Sequence, residues 1–166
     1  DTKFRQKANF DNLCCFFEAE VLEGYDKENE KYIGRIDIKV IGINTIMSVG
    51  KDYFIIECKR LDGTTNLNNK FVTEGICRFV LDNPKYSSFN ERNIMLGFVV
   101  KNIDIDENAH KINNIQNQNK GIHIIGEMQK YRKENEEYYL YKNKYQCKDK
   151  QIELDHMFYN LFEIIE

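Results

Sequence analysis

Tyr53-Phe54-Ile55-Ile56-Glu57-Cys58-Lys59 is the stretch on which the fold turns. Its first four residues are aromatic or β-branched, types that pack well on a pleated surface. A short apolar run without polar alternation predicts a central strand buried on both faces. The run then ends in Glu-Cys-Lys. Side chains alternate along a strand, so Glu57 and Lys59 share one face and Cys58 points to the other. A carboxylate in such surroundings is costly unless it is paired, hydrogen-bonded or holding a cation.

Upstream, residues 32–41 alternate well, with Ile36, Ile38 and Val40 on one face. Asp37 sits among them and repeats the anomaly of Glu57. Residues 16–22 alternate in part, and the polar stretch 26–31 joins the two segments as a hairpin. A short helix is expected at 3–13. Downstream, residues 61–69 predict a loop, with Asn69 capping a helix that runs to about residue 81. Val72, Ile76, Phe79 and Val80 recur there at helical spacing. Asn83-Pro84 ends that helix. Residues 93–100 predict another buried strand, and 104–117 a second helix with Ile105, Ala109, Ile112 and Ile115 inward. Beyond Gly121 the pattern weakens, and 138–145 with 152–162 predict a terminal hairpin. Strands separated by helices imply an α/β fold, a mixed central sheet flanked by helices.

The 166 residues fit one domain with a real core. At 42% hydrophobic and 31% charged, the composition is that of a globular protein. No apolar run reaches membrane-spanning length, and the charged opening residues lack the apolar core of a signal peptide. No membrane association and a cytoplasmic location are therefore expected. Five cysteines, at 14, 15, 58, 77 and 147, include no C-x-x-C pair. Neither a zinc ribbon nor a dithiol redox motif is therefore supported, and reduced thiols are the economical reading. The net charge of −3 does not advertise a nucleic-acid binder, so any such activity rests on local patches or a bound cation. The chain opens on Asp1 rather than Met, which reads as a trimmed end or a fragment with further domains upstream.

If the strands carrying Asp37 and Glu57 are neighbours, the two acids converge on one cation with the Lys59 ammonium alongside. Hard oxygen ligands select Mg²⁺ or Mn²⁺, and the backbone carbonyl of Cys58 offers a further ligand. Such a cation polarises a phosphoryl oxygen and acidifies a bound water. Lys59 would orient that water or stabilise the crowded phosphate. Mutual repulsion of the two acids predicts that removing one stabilises the metal-free protein.

Asp37, then Glu57-Cys58-Lys59 twenty residues on, then a helix and a strand, resembles the PD-(D/E)xK nuclease superfamily. The resemblance covers roughly residues 16–100 and implies a restriction-endonuclease-like core, with 101–166 as its C-terminal elaboration. It implies Asp37, Glu57 and Lys59 as catalytic residues, with Asp37, Glu57 and Cys58 holding the metal. Two departures stand out: Ile36 replaces the family's proline, and its extra helix-borne acid has no clear match, although Glu18 and Glu20 are candidates. Glu74 and Arg78, on the helix after the catalytic strand, are further accessory candidates. The implied activity is Mg²⁺-dependent endonucleolytic hydrolysis of DNA, in settings such as restriction or antiphage defence. A catalytically inactive member of the fold that binds nucleic acid or protein is the alternative.

Purely structural roles are also open to these residues. Asp37 would pair with Arg35 or Lys39, which stand two residues to either side of it on the same strand face. Glu57 and Lys59 would form a minor salt bridge at the sheet surface. His110, His123 and His156 are scattered and read as surface or core residues. Lysines from 130 to 150, interleaved with tyrosines, either track phosphates, with Lys142, Lys144 and Lys148 as contacts, or snorkel from a solvated hairpin.

Overall fold

The computed structural model describes residues 15–42, 53–86, 91–133 and 138–162. The helix expected at 3–13 lies outside these. Seven strands follow in order: β1 (Cys15–Asp26), β2 (Lys31–Gly42), β3 (Tyr53–Leu61), β4 (Arg92–Val99), β5 (His123–Lys133), β6 (Tyr138–Cys147) and β7 (Lys150–Asn160). Helix α1, residues 65–80, falls between β3 and β4, and α2 (Ile105–Gln118) between β4 and β5. The strands form one sheet in the order β1-β2-β3-β4-β7-β6-β5. β1, β2 and β3 run antiparallel, β3-β4 and β4-β7 pair in parallel, and β7-β6-β5 return antiparallel. The protein is thus α/β with a mixed sheet. Residues beyond 100 continue that sheet, and β7 lies in its interior beside the central strand β4. Among the described residues no helix is long and apolar enough to cross a membrane.

Strand register sorts the side chains into two faces. Glu57, Met95, His156 and Tyr141 form one row across β3, β4, β7 and β6. This face is covered by the helices, and its core includes Ile55, Leu61, Phe71, Ile76, Phe79, Ile112, Leu154 and Phe158. The adjacent row, Ile56, Ile94, Asp155 and Lys142, belongs to the other face. That second face is only partly covered, so β3 is not buried on both sides: Phe54 is 39% exposed and Ile56 half-buried. An apolar run therefore overstated the burial of its second face.

Helix α1 begins earlier than Asn69. Thr64 is its N-cap, accepting from the Leu67 N–H, and Asp62 fixes that cap by accepting from both the N–H and the hydroxyl of Thr64. Asn69 lies inside the helix, where its carbonyl accepts from the Thr73 hydroxyl. A π-turn, Val72–Ile76, interrupts α1 before its last turn, Cys77–Val80. Gly75 in that turn allows close approach to the sheet: a Cβ there would collide with the Met95 methyl and meet the stem of Lys59 at 3.6 Å. α1 is tied to α2 by a buried bond from Asn68 Nδ2 to Asn108 Oδ1, 2.7 Å. β5 had no clear pattern in the sequence because its pairing with β6 is broken by register shifts, which scramble alternation.

His156 is fully buried against Phe71, and neither ring nitrogen finds a hydrogen-bond partner among the described residues. Burial pushes its pKa down from 6.5 to about 3. Between those values the unfolded chain takes up a proton that the folded chain refuses, so stability falls as pH drops. One proton contributes about 1.4 kcal/mol per pH unit, hence roughly 2 kcal/mol between pH 6.5 and 5. Denaturant titrations at the two pH values should show this loss in the wild type and much less in His156→Phe. Equal losses in both would mean that the imidazole takes up its proton in the folded state.

Candidate active site

β2 and β3 pair from Ile41↔Tyr53 to Ile38↔Ile56, and the ladder ends there. At that point Asp37 Oδ2 accepts a hydrogen bond from the Cys58 N–H at 2.7 Å. A side chain from β2 thus takes up a backbone donor of β3 where the strands part. The β1–β2 turn that delivers it is set by Asp26, whose carboxylate accepts from the N–H groups of Glu28 and Asn29.

The opening between the strands is a cavity of about 200 Å³. Arg35, Asp37, Glu57, Lys59, Arg78 and Lys85 line it, four cations against two carboxylates. The structure therefore brings Asp37, Glu57 and Lys59 to one cavity. Glu57 is 0% exposed, so its bond with Lys59 is not a surface salt bridge. Glu57 Oε1 also meets Arg78 at 2.9 Å, and Oε2 accepts from the Tyr86 hydroxyl at 2.9 Å. Tyr86 accepts from Arg78 and also contacts the Arg35 carbonyl. A hydroxyl has one proton, so Tyr86 serves Glu57 or that carbonyl at any moment, while a lone pair takes Arg78. Its ring lies 3.0 Å from where a Cβ on Gly34 would stand, so a small residue there admits it.

The electrostatics follow from this packing. Burial opposes the charge on Arg78, but Glu57 and Tyr86 outweigh it and raise the pKa. Burial and Glu57 also raise the Tyr86 phenol, which stays protonated. Burial, then Asp37 and Glu57, push the Cys58 thiol up to about 11, so it is no nucleophile at neutral pH. The Cys58 carbonyl faces Lys59, accepting from Nζ at 3.3 Å. Among the described residues no cluster of three or more His, Cys, Asp or Glu forms. A cation here would rest on two carboxylates plus backbone and water oxygens.

No family model, curated protein or solved structure matches this chain.

The accessory candidates separate. Arg78 lines the cavity. Glu74 instead lines an adjoining one. Glu20 pairs with Arg35 at 3.6 Å, both well exposed, and Glu18 is exposed opposite Lys39. Neither strand neighbour of Asp37 is engaged with it: Arg35 pairs with Glu20, and Lys39 lies over the Tyr53 ring. Lys142 and Lys144 register with Asp155 and Glu153, on the face away from Glu57. Tyr86 and Lys85 were not singled out in the sequence. They follow Pro84 in an irregular segment, where no periodicity marks which side chain turns inward.

Proposed function

We propose that this protein hydrolyses phosphodiester bonds in DNA with Mg²⁺ or Mn²⁺, using a restriction-endonuclease-like core. The observation that carries the reading is the cavity itself: Asp37, Glu57 and Lys59 together, with a surplus of cations on a chain of net charge −3. A pocket of positive balance suits a phosphate, and two acids within it suit a hard cation. The succession β1-β2-β3-α1-β4 supports the same core.

The residues fit the metal. Asp37 Oδ2 is used by Cys58, leaving Oδ1 for a cation, and Glu57 and the Cys58 carbonyl supply further oxygens. When bound, the metal would polarise the phosphoryl group and lower the pKa of a coordinated water. Lys59, bonded to Glu57 without metal, would on leaving it hold the attacking water or the developing charge. Arg78, anchored by Tyr86, would stabilise the phosphate oxygens.

One observation favours the second reading, a non-catalytic binding module. Glu57 is already engaged by Lys59, Arg78 and Tyr86, so the site is satisfied without metal. The deciding assay is cleavage of plasmid and single-stranded DNA with Mg²⁺, with Mn²⁺ and with EDTA. Cleavage restricted to the metal-containing reactions is expected. Binding without cleavage under any metal would leave the module reading. A role in restriction or antiphage defence rests on the resemblance alone.

A further inference from the structure

The cavity holding Asp37 and Glu57 shares Arg78 and Lys85 with a second cavity of about 190 Å³. Thr73, Glu74, Cys77, Leu81 and Asn83 complete that second cavity, which has one acid against the two shared cations. Asn83 in its wall accepts from Lys148 Nζ at 3.0 Å. Lys148 lies in the β6–β7 turn in the left-handed region, φ 50. The Gln146 side-chain amide fixes this turn, donating to the carbonyls of Lys148 at 2.6 Å and Lys150 at 3.3 Å. An L-residue seldom adopts that backbone without such support. The turn therefore holds one lysine against a residue of the second cavity's wall. Lys85, between the two cavities, is exposed and has no hydrogen bond or ion pair among the described residues.

We propose that the two cavities form one track for a nucleic-acid strand. A reacting phosphate sits beside Asp37, the next nucleotide fills the second cavity, and Lys85 and Lys148 contact the backbone on the way out. This rests on the nuclease reading of the first cavity and adds the path of the substrate to it. It also divides the basic C-terminal hairpin. Lys148 belongs to the track. Lys142 lies over the Tyr131 ring and Lys144 pairs with Glu153 at 3.7 Å, both on the opposite face of the sheet. The second cavity mixes apolar and polar walls, which suits a sugar and base better than a second phosphate.

The test is binding of a short duplex DNA in EDTA across a salt series, for wild type, Lys85→Gln/Lys148→Gln and Lys142→Gln/Lys144→Gln. Thermal melts would confirm that each variant is folded. Each lost phosphate contact lowers the slope of log affinity against log salt by about 0.9. The Lys85/Lys148 variant should lose nearly two units of slope and bind all sequences more weakly, while the Lys142/Lys144 variant should match wild type. Cleavage with Mg²⁺ is measured in parallel. If the wild type binds and cuts but the Lys85/Lys148 slope is unchanged, the track is wrong and the nuclease reading stands. If the slope falls as expected but no metal supports cleavage, the track stands and the nuclease reading falls. If the wild type neither binds nor cuts DNA, both fall.

Discussion

Asp37→Asn should fold like the wild type and lose Mg²⁺-dependent cleavage by roughly 10³-fold or more, at least the loss seen when one preorganised charge-stabilising group is removed. The substitution is chosen for what it keeps. Asp37 Oδ2 accepts from the Cys58 N–H at 2.7 Å, and the amide oxygen of Asn can accept the same bond. The strands therefore still part at the same place, and the change in unfolding free energy should stay within about 1 kcal/mol, the scale of one net hydrogen bond. What is removed is the negative charge, and with it half of the carboxylate pair facing the cavity. Asp37→Ala would confound the two effects, because it also orphans a backbone donor. Single-turnover cleavage with saturating enzyme, alongside a denaturant melt, separates them. An Asp37→Asn protein that cuts at the wild-type rate would remove Asp37 from the metal site.

Much of this site was legible because burial makes acids conspicuous. Asp37 among isoleucines and Glu57 closing an apolar run are both positions where a carboxylate needs a reason, and period-two alternation put Lys59 with Glu57. Register then supplied what a sequence cannot, that the two acids belong to one opening between parted strands. The helix start was misjudged because Thr64 and Asn69 both look like caps, and only the Asp62 turn distinguishes them. The basic hairpin was legible as charge but not as direction. Lys142, Lys144 and Lys148 are close in sequence, yet two lie on the sheet face away from Glu57 and one reaches Asn83 from a left-handed turn. Tyr86 was invisible for a similar reason: its importance comes from three contacts in β2, β3 and α1, none of them local.

Those contacts reverse the sign of one expectation. Two acids facing one opening should repel, so removing one should stabilise the metal-free protein. For Glu57 the structure gives the opposite balance. Its carboxylate is fully buried, but Lys59 and Arg78 both neutralise it and Tyr86 donates to it. Glu57→Ala leaves two cations and a phenol facing an apolar gap. Removing one partner of a buried ion pair costs about 3–5 kcal/mol. Lys59 and Arg78 keep 18% and 27% of their side chains exposed and can recover some hydration, which points to the lower end of that range. In a chain of 166 residues about 3 kcal/mol corresponds to a fall in Tm of roughly 6–12 °C. Glu57→Gln keeps an acceptor for Tyr86 while losing the charge, so it should melt between Glu57→Ala and wild type. Thermal melts in EDTA measure this with no metal involved. A Glu57→Ala protein that melts above wild type would show that repulsion from Asp37 outweighs both cations, and Arg78 and Tyr86 would then lose their place as the anchors of the site.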